Sequence, residues 1–196
     1  MTYLLATIFM GLMTFVAVLV ALFGKKFWRP NLKITLANPS GELTSWEKEG
    51  KKQSARFYHA RIENQRRWSP ATNVSLHLIK VQEERLDKTF SEEWIGDVQL
   101  KWKHPKYYPQ PDKVGKPVDY DLVSVDSGNF VSIHPIVAAS SLDRVRKEGC
   151  RLRLWLQARS TEIDSLVVIV EISWDGMWVE GNEEMKEHFI LTIVNV

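Results

Sequence analysis

Arg151-Leu152-Arg153-Leu154-Trp155-Leu156-Gln157-Ala158-Arg159 alternates polar and apolar side chains with hardly a break. Such a segment suits a strand, whose successive side chains point to opposite faces of a sheet. A helix would scatter the same leucines around its surface. Leu152, Leu154 and Leu156 form one face, which predicts a core. Arg151, Arg153, Trp155, Gln157 and Arg159 form the other, which predicts a surface carrying a tryptophan among three arginines.

The same period recurs on both sides of this stretch. Residues 32–36, 55–64, 74–81, 94–102, 120–126, 129–136, 165–174 and 188–196 read as strands, giving about nine in all. Trp174 is in phase with Val168, Val170 and Ile172, so it is expected in the core. Turn signals such as Asn38-Pro39, Asp126-Ser127-Gly128-Asn129 and Asp175-Gly176 separate the strands. Helix is scarce: Ser140 to Glu148 is the best candidate, with Ser140 as N-cap and Gly149 to stop it. Residues 103–118 hold Pro105, Pro109, Pro111 and Pro117 around Tyr107 and Tyr108, a density that no central strand tolerates. Residues 38–54 read as a polar stretch around Trp46, and 180–187 as an acidic turn or short helix. Many short strands with polar turns predict an all-β chain, an antiparallel sandwich of two sheets over residues 31–196.

Ala60-Arg61-Ile62-Glu63-Asn64, followed by Trp68-Ser69-Pro70-Ala71-Thr72-Asn73-Val74-Ser75-Leu76, resembles a corner in bacterial immunoglobulin-like domains of the cell-adhesion-related type. In those domains a strand ends in Asn, a proline-alanine corner follows, and an Asn-Val pair opens the next strand. The chain also resembles uncharacterised membrane-anchored bacterial proteins. The resemblance covers about 20 residues and implies an immunoglobulin-like β-sandwich. Here Asn64 is placed to close its strand, Pro70 to stiffen the corner, and Val74 and Leu76 to return to the core.

Ahead of the strands, Tyr3 to Phe23 is an uncharged run of 21 residues, followed by Lys25, Lys26, Phe27, Trp28 and Arg29. At about 1.5 Å per residue such a run covers the roughly 30 Å of a bilayer's hydrocarbon. Residues 1–30 therefore read as a transmembrane anchor with a basic, aromatic stop. A cleaved signal peptide would need a basic n-region, a shorter core and a small residue where Phe23 stands. The positive charges follow the span, so the positive-inside rule expects a single-pass protein of the inner membrane with its C-terminal domain in the cytoplasm. All 24 acidic residues lie after Pro30, and three of the 26 basic ones precede it. The rest of the chain is thus near neutral, which speaks against a nucleic-acid partner. One cysteine, Cys150, excludes an internal disulfide and fits a reducing compartment.

Catalytic motifs are few. Asp126-Ser127-Gly128 matches the short aspartic-protease signature, but occurs once and reads equally as a hairpin tip. His59 and His77 lie at equal distances from Trp68, so a hairpin folded there would set them opposite each other as an exposed pair. Two imidazoles fall short of the three or four ligands of a zinc site. Cys150 has no evident histidine partner and reads as a structural thiol. The chain has no phosphate-binding glycine loop, serine-hydrolase elbow or HExxH helix. The expectation is a binding module, with no enzyme activity, cofactor or metal.

Its candidate binding residues are Arg151, Arg153, Trp155 and Arg159 on one strand face, with Tyr107 and Tyr108 in the proline-rich connection. Tryptophan and arginine dominate interface hot spots, so a protein partner at the cytoplasmic membrane face is expected, and the arginines favour an acidic one. Reversed topology would instead give an extracytoplasmic domain that binds glycans or an envelope complex. A dimeric hydrolase using Asp126 is a distant third reading.

Overall fold

The computed structural model describes residues 2–48, 50–103, 113–114, 116–137, 142 and 149–194. The chain runs through α1 (Thr2–Phe27), β1 (Leu32–Leu36), β2 (Glu42–Lys48), β3 (Lys51–Asn64), β4 (Ala71–Thr72), β5 (Ser75–Glu84) and β6 (Phe90–Gln99). It continues through β7 (Lys113–Val114), β8 (Val118–Asp126), β9 (Val131–Ile133), β10 (Cys150–Arg159), β11 (Val168–Trp174), α2 (Asn182–His188) and β12 (Phe189–Val194).

The strands form two antiparallel five-stranded sheets. In the first the order is β1-β3-β8-β9, with β2 also on β3. Leu32–Leu36 pair with the C-terminal part of β3 and Glu42–Lys48 with its N-terminal part. Because β8 occupies the other edge of β3, β1 and β2 amount to one edge strand interrupted at 37–41. The second sheet has the order β12-β11-β10-β5-β6, and β4 pairs with β7 separately. Alternation predicts the buried face correctly: Leu152, Leu154, Leu156, Val170, Ile172 and Trp174 are all buried, Trp174 at 3% exposure. Inward residues of both sheets belong to one hydrophobic cluster, in which Tyr58 stacks on Phe189 at 4.4 Å between ring centroids.

α1 is the one described helix long and apolar enough to cross a bilayer, and its Thr7–Gly24 window has no buried residue. Thr7 and Thr14 return their hydroxyls to the carbonyls of Tyr3 and Met10, each at 2.9 Å, so neither leaves an open donor on an apolar surface. The chain after α1 is tied to the corner that follows β3. Ser69 Oγ donates to Trp28 O, and Arg66 Nη1 to Arg29 O at 3.1 Å. Asn31 N donates to Asn64 Oδ1 at 3.1 Å, and Gln65 N returns a bond to Asn31 O at 2.9 Å. Asn64 closes its strand as its position predicts: its Oδ1 also accepts from Arg66 N at 3.1 Å, while its Nδ2 donates to Ser69 O at 2.6 Å.

Two departures from the sequence expectation have physical reasons. The polar stretch 38–54 contains β2 and the start of β3, joined by a tight turn at Gly50 with φ +72°. This hairpin projects along a solvated edge, so its strands carry little apolar alternation. The two histidines are not opposite each other: His59 lies on β3 in the first sheet and His77 on β5 in the second. The segment between them changes sheets at the Trp68 corner instead of folding back as a hairpin. His59 is moreover buried, at 4% exposure. Of the expected helix Ser140–Glu148 only Leu142 is described, and it is buried; the rest, like Tyr107 and Tyr108, lies outside the described residues.

Candidate functional site

The outer face of the second sheet carries Arg151, Arg153, Trp155, Gln157 and Arg159 together, as their alternation predicts. Sheet register decides what each of them meets. Arg153 stands between Gln82 of β5 and Glu171 of β11, and Trp155 between Lys80 and Ile169. The carboxylate of Glu171 holds the centre. Its Oε1 accepts from Arg151 Nε at 2.8 Å and Nη2 at 2.5 Å, and its Oε2 from Arg153 Nε at 2.9 Å. Burial pushes the Glu171 pKa up, but the hydrogen bonds and charges of the two arginines outweigh it and hold the group below the usual carboxylate value.

Aromatic rings on this face are capped by cations. The Arg153 guanidinium sits 3.7 Å from the centroid of Phe90, and Lys80 Nζ 4.1 Å from that of Trp155. Trp155 is half-buried and its Nε1 donates to Gln82 Oε1 at 3.0 Å. Further along, Arg159 Nη1 and His77 Nδ1 both donate to the Asp97 carboxylate, each at 2.6 Å. Those two bonds, the arginine's first, lower the pKa of Asp97. Arg151 also reaches Glu84 at 3.0 Å, and Lys80 reaches Glu92 at 3.3 Å.

Four cations thus meet four carboxylates, and the face is charge-balanced. The sequence expectation of a basic surface counted only the residues of one strand; the acids come from β5, β6 and β11. At the end of the face near the β5–β6 turn lies an open depression of about 840 Å³, lined among others by Glu84, Arg85, Arg151, Glu171, Ser173 and Ile190. This end is opposite the α1 junction, because β5 runs from the Trp68 corner to that turn.

No protein-family model matches this chain, and no curated protein matches it significantly. The reading of the site therefore rests on its own chemistry.

A second polar cluster, on the first sheet, was not legible in the sequence. His59 Nδ1 lies 3.0 Å from Asp121 Oδ1, and Nε2 lies 3.6 Å from Glu42 Oε2, without the alignment of a hydrogen bond. Glu42 also takes the Lys103 ammonium, and Arg61 grips Asp119 with two bonds of 2.7 and 3.0 Å. Nearby, His134 shares a 2.8 Å hydrogen bond with Ser124 Oγ, and burial holds its pKa below the usual histidine value. His59 and Asp121 are paired across β3 and β8, a register that spacing along the chain does not announce.

The remaining candidates have local roles. Asp126 Oδ1 accepts from Gly128 N at 2.8 Å and Phe130 N at 3.1 Å, so its carboxylate organises the β8–β9 turn. Cys150, the one cysteine of the sequence, is half-buried and packed against the core. Among the described residues, no three His, Cys, Asp or Glu side chains converge as metal ligands.

Proposed function

We propose that this chain is a single-pass membrane protein whose two sheets form an immunoglobulin-like β-sandwich that binds a protein partner at the cytoplasmic membrane face. The observation that carries this reading is the depression at the end of the second sheet opposite α1. An anchor at one pole and an open, mixed-charge recess at the other suit a module displayed from a membrane. The recess is rimmed by Ile190, nearly half exposed, beside Arg85 and Lys88, a combination of apolar and charged groups suited to a protein surface. Its walls are braced by the Arg151–Glu171–Arg153 network, so little ordering entropy would be lost on binding. The helix concentrates the module in two dimensions, which lets a modest interface suffice.

The glycan reading needs open aromatic faces on which sugar rings can stack. On the outer face of the second sheet, Phe90 and Trp155 are covered by Arg153 and Lys80, which speaks against sugar stacking there. The hydrolase reading needs a carboxylate free for chemistry, whereas that of Asp126 is engaged in its own turn. The test is affinity recovery of the full chain from detergent-solubilised membranes, beside an Arg85→Glu, Ile190→Asp double variant. A specific companion protein lost in the variant supports the reading; the same companions in both overturn the placement of the interface.

A further inference from the structure

Two short segments share a pattern that the fold brings together. Lys25-Lys26-Phe27-Trp28-Arg29-Pro30 and Arg66-Arg67-Trp68-Ser69-Pro70 each place two basic residues ahead of a tryptophan, with a proline two residues after it. The first ends α1 and the second forms the corner after β3. Hydrogen bonds join them: Ser69 Oγ to Trp28 O, and Arg66 Nη1 to Arg29 O at 3.1 Å. Pro30 is buried at the joint. Neither segment contains an acid.

Both tryptophans are exposed, Trp28 at 68% and Trp68 at 66%. They are nevertheless placed together, since both rings line an apolar groove of about 610 Å³ with Leu19, Val20, Phe23 and Gly24 of the helix. Trp68, some 40 residues beyond α1, is thus level with the last turns of the apolar Thr7–Gly24 window. If that window lies in hydrocarbon, the Trp68 ring cannot leave the interfacial layer without breaking the joint.

We infer that the Arg66–Ser69 corner is a second membrane contact, with Trp68 in the headgroup layer beside Trp28 and the exposed Arg67 against anionic phospholipid phosphates. This rests on the anchor reading above and adds to it. An indole suits the interface because its ring is apolar and its N–H is wet. Basic residues at an anionic leaflet add attraction that decays within a Debye length. The groove between helix and corner takes phospholipid of the same bilayer. The contact converts a tether into a mount: the corner faces the membrane, and β5, at about 3.3 Å per residue, carries its far turn roughly 30 Å away.

Tryptophan quenching by brominated phospholipid tests this on the full chain in vesicles. The lipid is equimolar phosphatidylcholine and phosphatidylglycerol brominated near the headgroup end of the acyl chains. Unmodified protein is compared with Trp68→Phe and Trp28→Phe, both at exposed rings, with folding checked by far-ultraviolet circular dichroism. Each substitution is expected to remove a quenched component. Replacing Arg67 by Glu is expected to weaken corner binding about 30-fold, the factor for roughly 1 kcal/mol from the basic residue lost and as much from the acid gained at an anionic surface. Replacing phosphatidylglycerol by phosphatidylcholine is expected to weaken it about five-fold or more. Loss of quenching in Trp28→Phe but not in Trp68→Phe overturns the inference and leaves the anchor standing. No loss in either overturns the anchor itself. A Trp68 component indifferent to lipid charge and to Arg67→Glu overturns the anionic-phosphate part.

Discussion

Arg56 Nη1 donates to Asn182 Oδ1 at 2.7 Å, tying β3 of the first sheet to the start of α2, which leads into β12 of the second. The guanidinium is fully buried and also donates to Ser40 O at 2.9 Å and Glu180 O at 2.7 Å. One cation therefore satisfies two main-chain carbonyls and a side-chain amide from segments far apart in sequence.

Removing it should cost far more than an ordinary surface change. Arg56→Ala strands buried acceptors and opens a void, so a loss of about 3 kcal/mol or more is expected in chemical denaturation. Arg56→Lys offers a single ammonium in place of the fork and should recover only part. Lys33→Ala, at an exposed position of β1, should stay within about 0.5 kcal/mol. A loss at Arg56 no larger than that at Lys33 would show that the clamp is not stabilising.

Gly41 shapes the same clamp. Its φ is +67°, and a Cβ there would stand 2.6 Å from Arg56 Cγ and 3.0 Å from the Tyr58 ring. Gly50 has a similar φ of +72° but open space around it. Gly41→Ala should therefore cost about 2–3 kcal/mol, against about 1 for Gly50→Ala. Equal melting losses for the two would mean that Arg56 simply shifts aside.

Stability should fall with acid in two steps. The folded-state pKa of His134 is below its ordinary value of 6.5, because burial disfavours the cation. The unfolded chain then binds the proton first, and stability declines as pH drops from above 6.5 towards the folded value. Glu171 is also held below its ordinary 4.5, so its contribution is present above that pH and is lost as pH falls through the lower folded value. His134→Gln should flatten the first step and Glu171→Gln part of the second. Denaturant midpoints followed from pH 8 to about 3 measure both, and unchanged slopes would contradict these assignments.

The strand phases of β10 and β11 were legible because one face is wholly apolar and the other carries Arg151, Arg153, Glu171 and Ser173, and Leu154 and Trp174 fell where alternation put them. Arg56 shows where that logic stops. It shares the inward phase of Tyr58, yet nothing in its neighbours along the chain indicates that acceptors from 40, 180 and 182 await it. The hairpin of β2 was hidden for the opposite reason, since an edge exposed to water imposes no apolar pattern. At the candidate site, the sequence showed the row of Arg151, Arg153 and Trp155. Their partners Lys80, Gln82 and Glu171 depend on the register between strands, which no single stretch encodes.

The junction between helix and sheets predicts where the chain can be cut. Residues up to Phe23 make no described bond to the strands, whereas Trp28, Arg29 and Asn31 hold the corner at 64–69. A chain starting at Gly24 should be strand-rich by circular dichroism and fold without lipid. One starting at Leu32 should remain folded but melt several degrees lower, by about 4 °C for each kcal/mol of lost bonds. A helical spectrum from the first truncation would contradict the independence of the sheets.

The surface itself is best probed at Trp155. Its ring is half-buried under Lys80 and bonded to Gln82, so Trp155→Ala should cost about 1–2 kcal/mol and leave the fold intact. Arg153→Glu is a poorer probe than the strand pattern alone suggests, because it would set a carboxylate against Glu171 and unfold the face from within. Arg153→Gln keeps a donor there without the repulsion. If the partner docks on this face, Trp155→Ala should lower its recovery from membranes about 30-fold, the weight of a hot-spot residue worth roughly 2 kcal/mol. Arg153→Gln should lower it less. Unchanged recovery with a folded Trp155→Ala domain would show that the interface does not extend from the recess at Arg85 and Ile190 along β10 to Trp155.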